Sequence, residues 1–255
     1  MPNTEVRWTR MTPNELDAAI ERMPLAIVPA GSLEWHGPHM STGSDYVRGD
    51  AICQAVAERL GGGVVLPATW VAAPGFCNWR GTISFTPALV RAVALELYRE
   101  LEKCGFKWIF VQLAHAGQMQ VEAWEGAAKQ HKDIGFAKIH VSHGLSGPFE
   151  NALGGGHAGP EEAAQLMAAD PECVQLDRYD PEDTLLPKYD NCDPWLYARG
   201  LSEEAQASVH KFMAREHYDW SPDLAEKVTP EAARAHMDEV CDLLAEEVRE
   251  WMDGG

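Results

Sequence analysis

Glu34 and His36 stand two residues apart in the segment GSLEWHGPHMSTGSDY, and Asp45 follows nine residues after His36. Carboxylate and imidazole at this spacing suggest metal-ligand chemistry. Side chains at i and i+2 of an extended segment point the same way, so Glu34 and His36 can face one site. The stretch between them and Asp45 contains Gly37, Pro38 and Gly43, residues suited to a tight loop that folds back on itself. A carboxylate has two oxygens, so Asp45 can bridge two ions. Two later positions carry the same donor types: His115, and the pair His157 and Glu162, with Glu161 competing for the acidic role. A donor set without thiolates suits Zn, Mn or Fe at an open catalytic site, not a structural zinc. Two ions some ~3.5–4 Å apart can activate a water and polarise a carbonyl together, which is what hydrolysis of an unreactive amide requires. Read as residues alone, the same groups also fit a solvated loop with a hydrogen-bonded histidine and, for His115, a satisfied core histidine.

These residues need elements to position them. Thr12-Pro13 reads as N-cap and first turn of a helix to about Met23. LAIVPA (25–30), GVVLPA (63–68) and KWIFVQLA (107–114) are apolar runs of strand length, and a further strand falls near 136–142. Helices are expected from about Asp45 to Leu60, stopped by Gly61-Gly62-Gly63, and from Thr86-Pro87 to Gly105. In the latter, Leu89, Val93, Leu97 and Leu101 recur every four residues as a buried stripe. Further helices are expected over about 118–130, from Pro160, and from Thr229-Pro230 to about Trp251. Continuous apolar strands alternating with helices predict an α/β fold, three layers α/β/α around a mainly parallel sheet. The stretch 175–222, rich in Asp and Pro, reads as an irregular insertion in a single domain over 1–255. In such sheets, ligand sites form beyond the carboxyl ends of the strands. Glu34, His36 and His115 fall there.

Composition narrows the classes. The net charge of -18 repels phosphate backbones and anionic lipid, so no nucleic-acid and no membrane partner is expected. No apolar run reaches the ~18 residues of a transmembrane helix, and the first ten residues lack a secretory stretch. The six cysteines form no CxxC, which fits reduced thiols and a cytoplasmic protein. Gly154, Gly156 and Gly159 match G-x-G-x-x-G, but no clean strand leads into them and His157 sits in the middle, so a dinucleotide loop is not expected. Trp70, Trp79 and Trp195 lie in irregular segments, where they can line or cover a substrate.

The segment GSLEWHGPHMSTGSDY resembles the signature of the creatininase (creatinine amidohydrolase) family, G-S-x-E-Q-H-G-P-H-x-P-x-G-T-D. RGTISF, AHAGQ, GGHAGPEEA and DLAEKVTPEAARAHMDEV are similar to later motifs of that family, in the same order. The resemblance implies a creatininase-like fold and a centre of two divalent ions per chain, Zn and/or Mn with Fe as a third option. It implies that Glu34 and His36 bind different ions, that Asp45 bridges them, and that His115 and Glu162 complete the ligand set. His157 then assists proton transfer to the departing nitrogen. The implied activity is hydrolysis of a non-peptide, cyclic C–N amide bond in a small molecule. The implied assembly is a homo-oligomer, a hexamer by family analogy. Trp35 replaces the family's usual Gln, Leu113-Ala114 an Asn-Gly, and Gln118 an Asn, and Gly117 stands where creatininase has Glu. These departures cluster around the expected pocket, with Trp35 and Trp79 as substrate-binding candidates, and they argue against creatinine as substrate. They leave open a lactone or C–C hydrolase, a keto-sugar isomerase, or a binding homologue without turnover.

Overall fold

The computed structural model describes residues 5–143, 149–192 and 202–254, apart from the side chains of Ala205 and Ser208. Trp195 and the segment 144–147 lie outside the described residues. Four strands, β1 (Leu25–Ala30), β2 (Val64–Val65), β3 (Trp108–Leu113) and β4 (Lys138–Ser142), form one sheet in the order β2-β1-β3-β4, with every pair parallel. Among the described residues eight α-helices accompany them: α1 (Pro13–Arg22), α2 (Ser44–Leu60), α3 (Pro87–Lys103), α4 (Gln118–Lys132), α5 (Pro160–Ala169), α6 (Glu203–Ala214), α7 (Leu224–Lys227) and α8 (Pro230–Gly254). Among the described residues, no helix is long and apolar enough to cross a membrane.

Alternation along β1 sorts the core into two layers. Ala26, Val28 and Ala30 pack with Val90, Ala94 and Tyr98 of α3 and Ala123 and Trp124 of α4. Leu25 and Ile27 face the other way, toward Ile52 and Val56 of α2 and Val240 and Leu244 of α8. A sheet covered on both faces explains why β1 and β3 read as unbroken apolar runs. This is the three-layer α/β/α arrangement expected from the sequence.

Helix starts follow the local chemistry. Pro13 and Pro87 occupy first-turn positions, the Thr12 backbone N–H donates to Glu15 Oε2 at 2.8 Å, and the Thr86 side chain accepts from the Leu89 N–H. Gly61 ends α2 in the left-handed region, with φ 73°.

Three expectations need correction. The strand expected over 63–68 shortens to Val64–Val65. Pro67 has no N–H for the ladder, although Leu66 and Thr69 still donate to Ile27 and Pro29 of β1. The buried stripe of α3 is Pro87, Val90, Ala94, Leu95, Tyr98 and Leu101, while Leu89 and Val93 are exposed. A strict four-residue row drifts around a helix of 3.6 residues per turn, so Leu89 and Leu101 cannot both face the sheet. The region 175–222 is not wholly irregular, because it contains α6. Among the described side chains of α6, Val209 and Met213 are the buried apolar ones, too few to give a periodic signal.

Gly49 sets how closely α2 approaches β3. A Cβ there would lie 2.8 Å from the Ala114 Cβ, and neither atom can swing away. Gly49→Ala is therefore expected to destabilise the fold by about 1–3 kcal/mol, overriding the helix-propensity gain of about 1 kcal/mol. Urea unfolding measures this; a more stable variant would contradict the close approach.

Candidate metal centre

The neighbouring strands β1 and β3 end in register, Ala30 opposite Leu113. Both chains leave the carboxyl edge together, and the Ala114 and His115 N–H groups donate to the Ala30 carbonyl. The β1 exit is pressed against the start of α2: a Cβ on Gly31 would lie 2.8 Å from the Asp45 carbonyl and the Tyr46 backbone. The segment then turns at Gly37, with φ 77°, and is pinned by the Glu34 N–H to Thr42 carbonyl bond at 2.8 Å and the Trp35 N–H to Thr82 Oγ1 bond at 3.0 Å. This brings Glu34 and His36 over the first turn of α2, where Asp45 sits.

Glu34, His36, Asp45 and His115 are all buried, and Glu162 joins them from the first turn of α5. Their donor atoms fall into two overlapping sets. Glu34, Asp45 and His115 form one, with His115 Nδ1 2.9 Å from Glu34 Oε2 and 3.4 Å from Asp45 Oδ2. His36, Asp45 and Glu162 form the other, with His36 Nε2 3.3 Å from Asp45 Oδ1 and 3.5 Å from Glu162 Oε2. The two oxygens of Asp45 thus face different sets. Both Glu34 carboxylate oxygens and His36 Nε2 are buried without a hydrogen-bond partner. Buried polar groups are rarely left so, and divalent cations would satisfy these. His36 Nδ1 lies 3.0 Å from the Glu34 carbonyl; as the N–H donor of that bond it leaves the Nε2 lone pair facing the centre. Glu161 turns away, its Oε1 accepting from the Gly154 N–H at 3.3 Å.

Arg48 was not singled out in the sequence. It lies one turn beyond Asp45 on α2, with its side chain 2% exposed, and its Nη2 donates to Asp45 Oδ1 and Glu162 Oε1, each at 2.7 Å. Spacing i, i+3 from Asp45 was the available signal.

His157 flanks the centre, its Nδ1 3.8 Å from Glu34 Oε2. Its Nε2 is 2.5 Å from the Trp35 carbonyl, so Nε2 is the protonated nitrogen and Nδ1 carries the lone pair. Burial, reinforced by the charge on His36, holds the His157 pKa well below the usual histidine range. Behind it, Phe76 lies 4.2 Å from the His157 ring and stacks on Trp79 at 4.1 Å, with Trp35 edge-on to Trp79 at 5.0 Å. A cavity of about 270 Å³ opens beside the centre, lined by Phe76, Ala116, Gly117, Met119, His157 and Phe212 among others. Trp35 and Trp79 back this wall and do not line it; Phe76 stands in front of Trp79. Trp70, 43% exposed, packs at a tilt against Phe85. Gly117 gives His115 its seat, since a Cβ there would lie 2.6 Å from His115 Nε2. Glu122 bonds to Gln118 and Ser202, and His39 packs between Tyr179 and Trp220. His131, His140 and His143 pair with Glu102, Glu247 and Glu125, His217 with Thr184, and His236 with Gln165, all away from the donor sets.

Electrostatics couples ion binding to protons. Burial opposes charging His36, but the Asp45 and Glu162 carboxylates outweigh it and push its pKa up to about 9. Burial likewise opposes charging His115, and Glu34 and Asp45 push it up to about 10. Burial raises Glu34; for Asp45, burial is outweighed by the positive charges of His36 and Arg48, which hold it well below the usual carboxylate range. An ion binds only the unprotonated imidazole nitrogen. Loading chelator-stripped protein with Mn or Zn near neutral pH should therefore release about two protons per chain when both sets fill. Affinity should rise with pH toward about 9, where His36 sheds its proton. Calorimetry in buffers of different ionisation enthalpy counts the protons; a proton-neutral titration would contradict this electrostatic picture.

A protein-family model, Creatininase, described as creatinine amidohydrolase, matches residues 9–248. Among curated proteins, a mycofactocin precursor peptide peptidase of Mycobacterium ulcerans (strain Agy99) is 31% identical over 158 residues. That match takes in 58% of this chain and 60% of the relative's length. Among solved structures, a creatininase with Mn is similar with TM-score 0.68 and 21% identity, over 96% of this chain and 98% of that one. A variant creatininase of the Zn–Zn type gives TM-score 0.69 and 20% identity over the same shares. At these identities the structural likeness establishes the fold.

Proposed function

The chain belongs to the creatininase family of amidohydrolases, and from that premise we propose that it hydrolyses a C–N amide bond of a small molecule at a centre of two divalent ions. The observation that carries this reading is Asp45, whose two oxygens face two different buried donor sets. Glu34, Asp45 and His115 would hold one ion, and His36, Asp45 and Glu162 the other. The choice of Zn or Mn is supported by the two neighbours of the same fold described with Mn and as Zn–Zn type; Fe suits the same donors. Bound there, the ions supply an activated water and a polarised carbonyl.

The chain's own residues do the rest. His157 Nδ1 accepts a proton, because Nε2 is committed to the Trp35 carbonyl and burial keeps the ring neutral. It returns that proton to the departing nitrogen, which an amide requires and a lactone does not. Phe76 and Trp79 keep water from the back of the imidazole. Ala116 and Gly117 leave room for substrate beside His115, within a cavity of about 270 Å³, a size that favours a small molecule or a short chain end.

A second reading is hydrolysis of a peptide amide, favoured by the similarity to a precursor peptide peptidase. Cyclic amides, formamides, short peptides and lactones, assayed with Mn or Zn, separate these readings, and lactone turnover alone would overturn both. In the same assays His36→Ala is expected to lose bound metal and about 10³-fold in rate, the several kcal/mol that metal assistance contributes. A His36→Ala protein with full metal content and full activity would sink the proposal.

A further inference from the structure

Tyr218 is buried beside the centre, on the segment that follows α6, and takes no part in the chemistry above. Its hydroxyl donates to the His157 carbonyl. The next N–H along the chain, that of Ala158, donates to Glu162 Oε2 at 2.7 Å. The His157 carbonyl and the Ala158 N–H belong to one peptide group, so that group is clamped at both ends. The clamp holds a strained backbone. Ala158 has φ 53°, the one positive φ outside glycine among the described residues, and a Cβ disfavours that region. Turning the peptide over would return Ala158 to ordinary negative φ and would rotate ψ of His157 with it. Strain of this kind persists only where the surroundings over-determine it.

The same side chain touches the other end of the His157 harness. The Tyr218 ring packs edge-on to Trp35, 5.8 Å between ring centres, and the Trp35 carbonyl holds His157 Nε2. Burial, with Glu162 nearby, pushes the Tyr218 phenol well above its ordinary pKa, so it stays a donor. Its backbone is fixed as well. The Tyr218 N–H donates to the Thr184 carbonyl at 2.8 Å, and the Leu186 N–H to the Glu216 carbonyl at 2.9 Å. That strip is tied in turn to the cavity wall: the Arg80 N–H donates to the Pro187 carbonyl and the Tyr189 N–H to the Asn78 carbonyl, each at 2.7 Å. His157, Tyr218 and the wall segment that carries Phe76 therefore share one frame, although Tyr218 does not itself line the cavity.

We propose, resting on the amidohydrolase reading above, that Tyr218 is a positioning residue. Through its hydroxyl it fixes the His157–Ala158 peptide and so aims His157 Nδ1 at the departing nitrogen.

The test removes the hydroxyl and keeps the ring. Zn-loaded Tyr218→Phe should keep two ions per chain and a KM within about threefold, while kcat on the best amide substrate falls about 10–100-fold, the cost of a misplaced group. In a His157→Asn background the same change should cost less than about threefold more, because the group it positions is gone. Nitrogen-15 NMR of histidine-labelled, Zn-loaded protein gives a readout independent of turnover. The His157 ring, assigned by its absence from His157→Asn, should show one protonated and one bare nitrogen in wild type and an exchange-averaged pair in Tyr218→Phe. An unchanged kcat, an effect confined to KM, loss of metal from Tyr218→Phe, or losses that multiply in the double variant would each overturn the inference. Wild type inert toward every amide would instead overturn the hydrolase reading. In that case, His157 nitrogen signals identical in wild type and Tyr218→Phe would overturn the role of Tyr218 as well, and averaged signals in the variant would uphold it.

Discussion

Asp45→Asn is expected to empty both halves of the centre at once and to reduce amide hydrolysis by at least about 10³-fold, several kcal/mol of lost assistance. Each Asp45 oxygen faces a different donor set, Oδ1 toward His36 and Oδ2 toward His115, so the substitution weakens each set by one anionic donor. An amide also puts an NH₂ where a lone pair is needed. The variant has a folding cost as well. Asp45 is buried against Arg48 at 2.7 Å, and breaking a buried ion pair typically costs about 3–5 kcal/mol. Arg48 keeps Glu162 and the Ala114 carbonyl, which places the loss at the lower end of that range. Glu162→Gln is the informative partner, because Glu162 belongs to one set. Elemental analysis of folded protein should find Asp45→Asn depleted in both ions and Glu162→Gln depleted in one. Equal metal content in Asp45→Asn and wild type would contradict the bridging assignment.

His157→Asn should behave differently, keeping bound metal while losing about 10²–10⁴-fold in kcat, the usual contribution of a positioned acid–base group. Its depressed pKa also fixes the sign of the pH dependence. The neutral ring is the working form, so wild-type activity should fall only as pH drops below the ordinary histidine range. That acid limb should vanish in the variant. His157, Glu34 and His36 could themselves hold an ion by geometry. Loss of metal from His157→Asn would therefore reassign His157 from proton carrier to ligand.

Much of this donor arrangement is legible in the sequence, for physical reasons. β1 and β3 are covered on both faces, so their sequences are unbroken apolar runs, and the edge that carries the donor sets follows from where those runs stop. Thr-Pro pairs marked three helix starts, at Pro13, Pro87 and Pro230, because proline suits a first turn that needs no N–H donor. Glu162 could not be told from Glu161 by spacing alone. That distinction depends on which carboxylate the Gly154–Gly159 turn captures. Arg48 was missed because an arginine one turn past an aspartate on a helix ordinarily reads as an exposed ion pair. Its burial is decided by Glu162, 114 positions away, and by the Ala114 carbonyl. Trp35 and Trp79 were expected at the substrate; the side chain standing between Trp79 and the cavity is Phe76, from the segment APGFCNWR. Nothing in that segment's composition separates the aromatic at the wall from the one behind it.

Amide hydrolysis by protein exhaustively stripped with chelator, before and after adding back Mn or Zn, tests the central claim most directly. The arrangement of Glu34, His36, Asp45, His115 and Glu162 predicts that stripped protein turns over no amide and that activity returns as the second equivalent of ion binds. Undiminished activity in the stripped protein would contradict it.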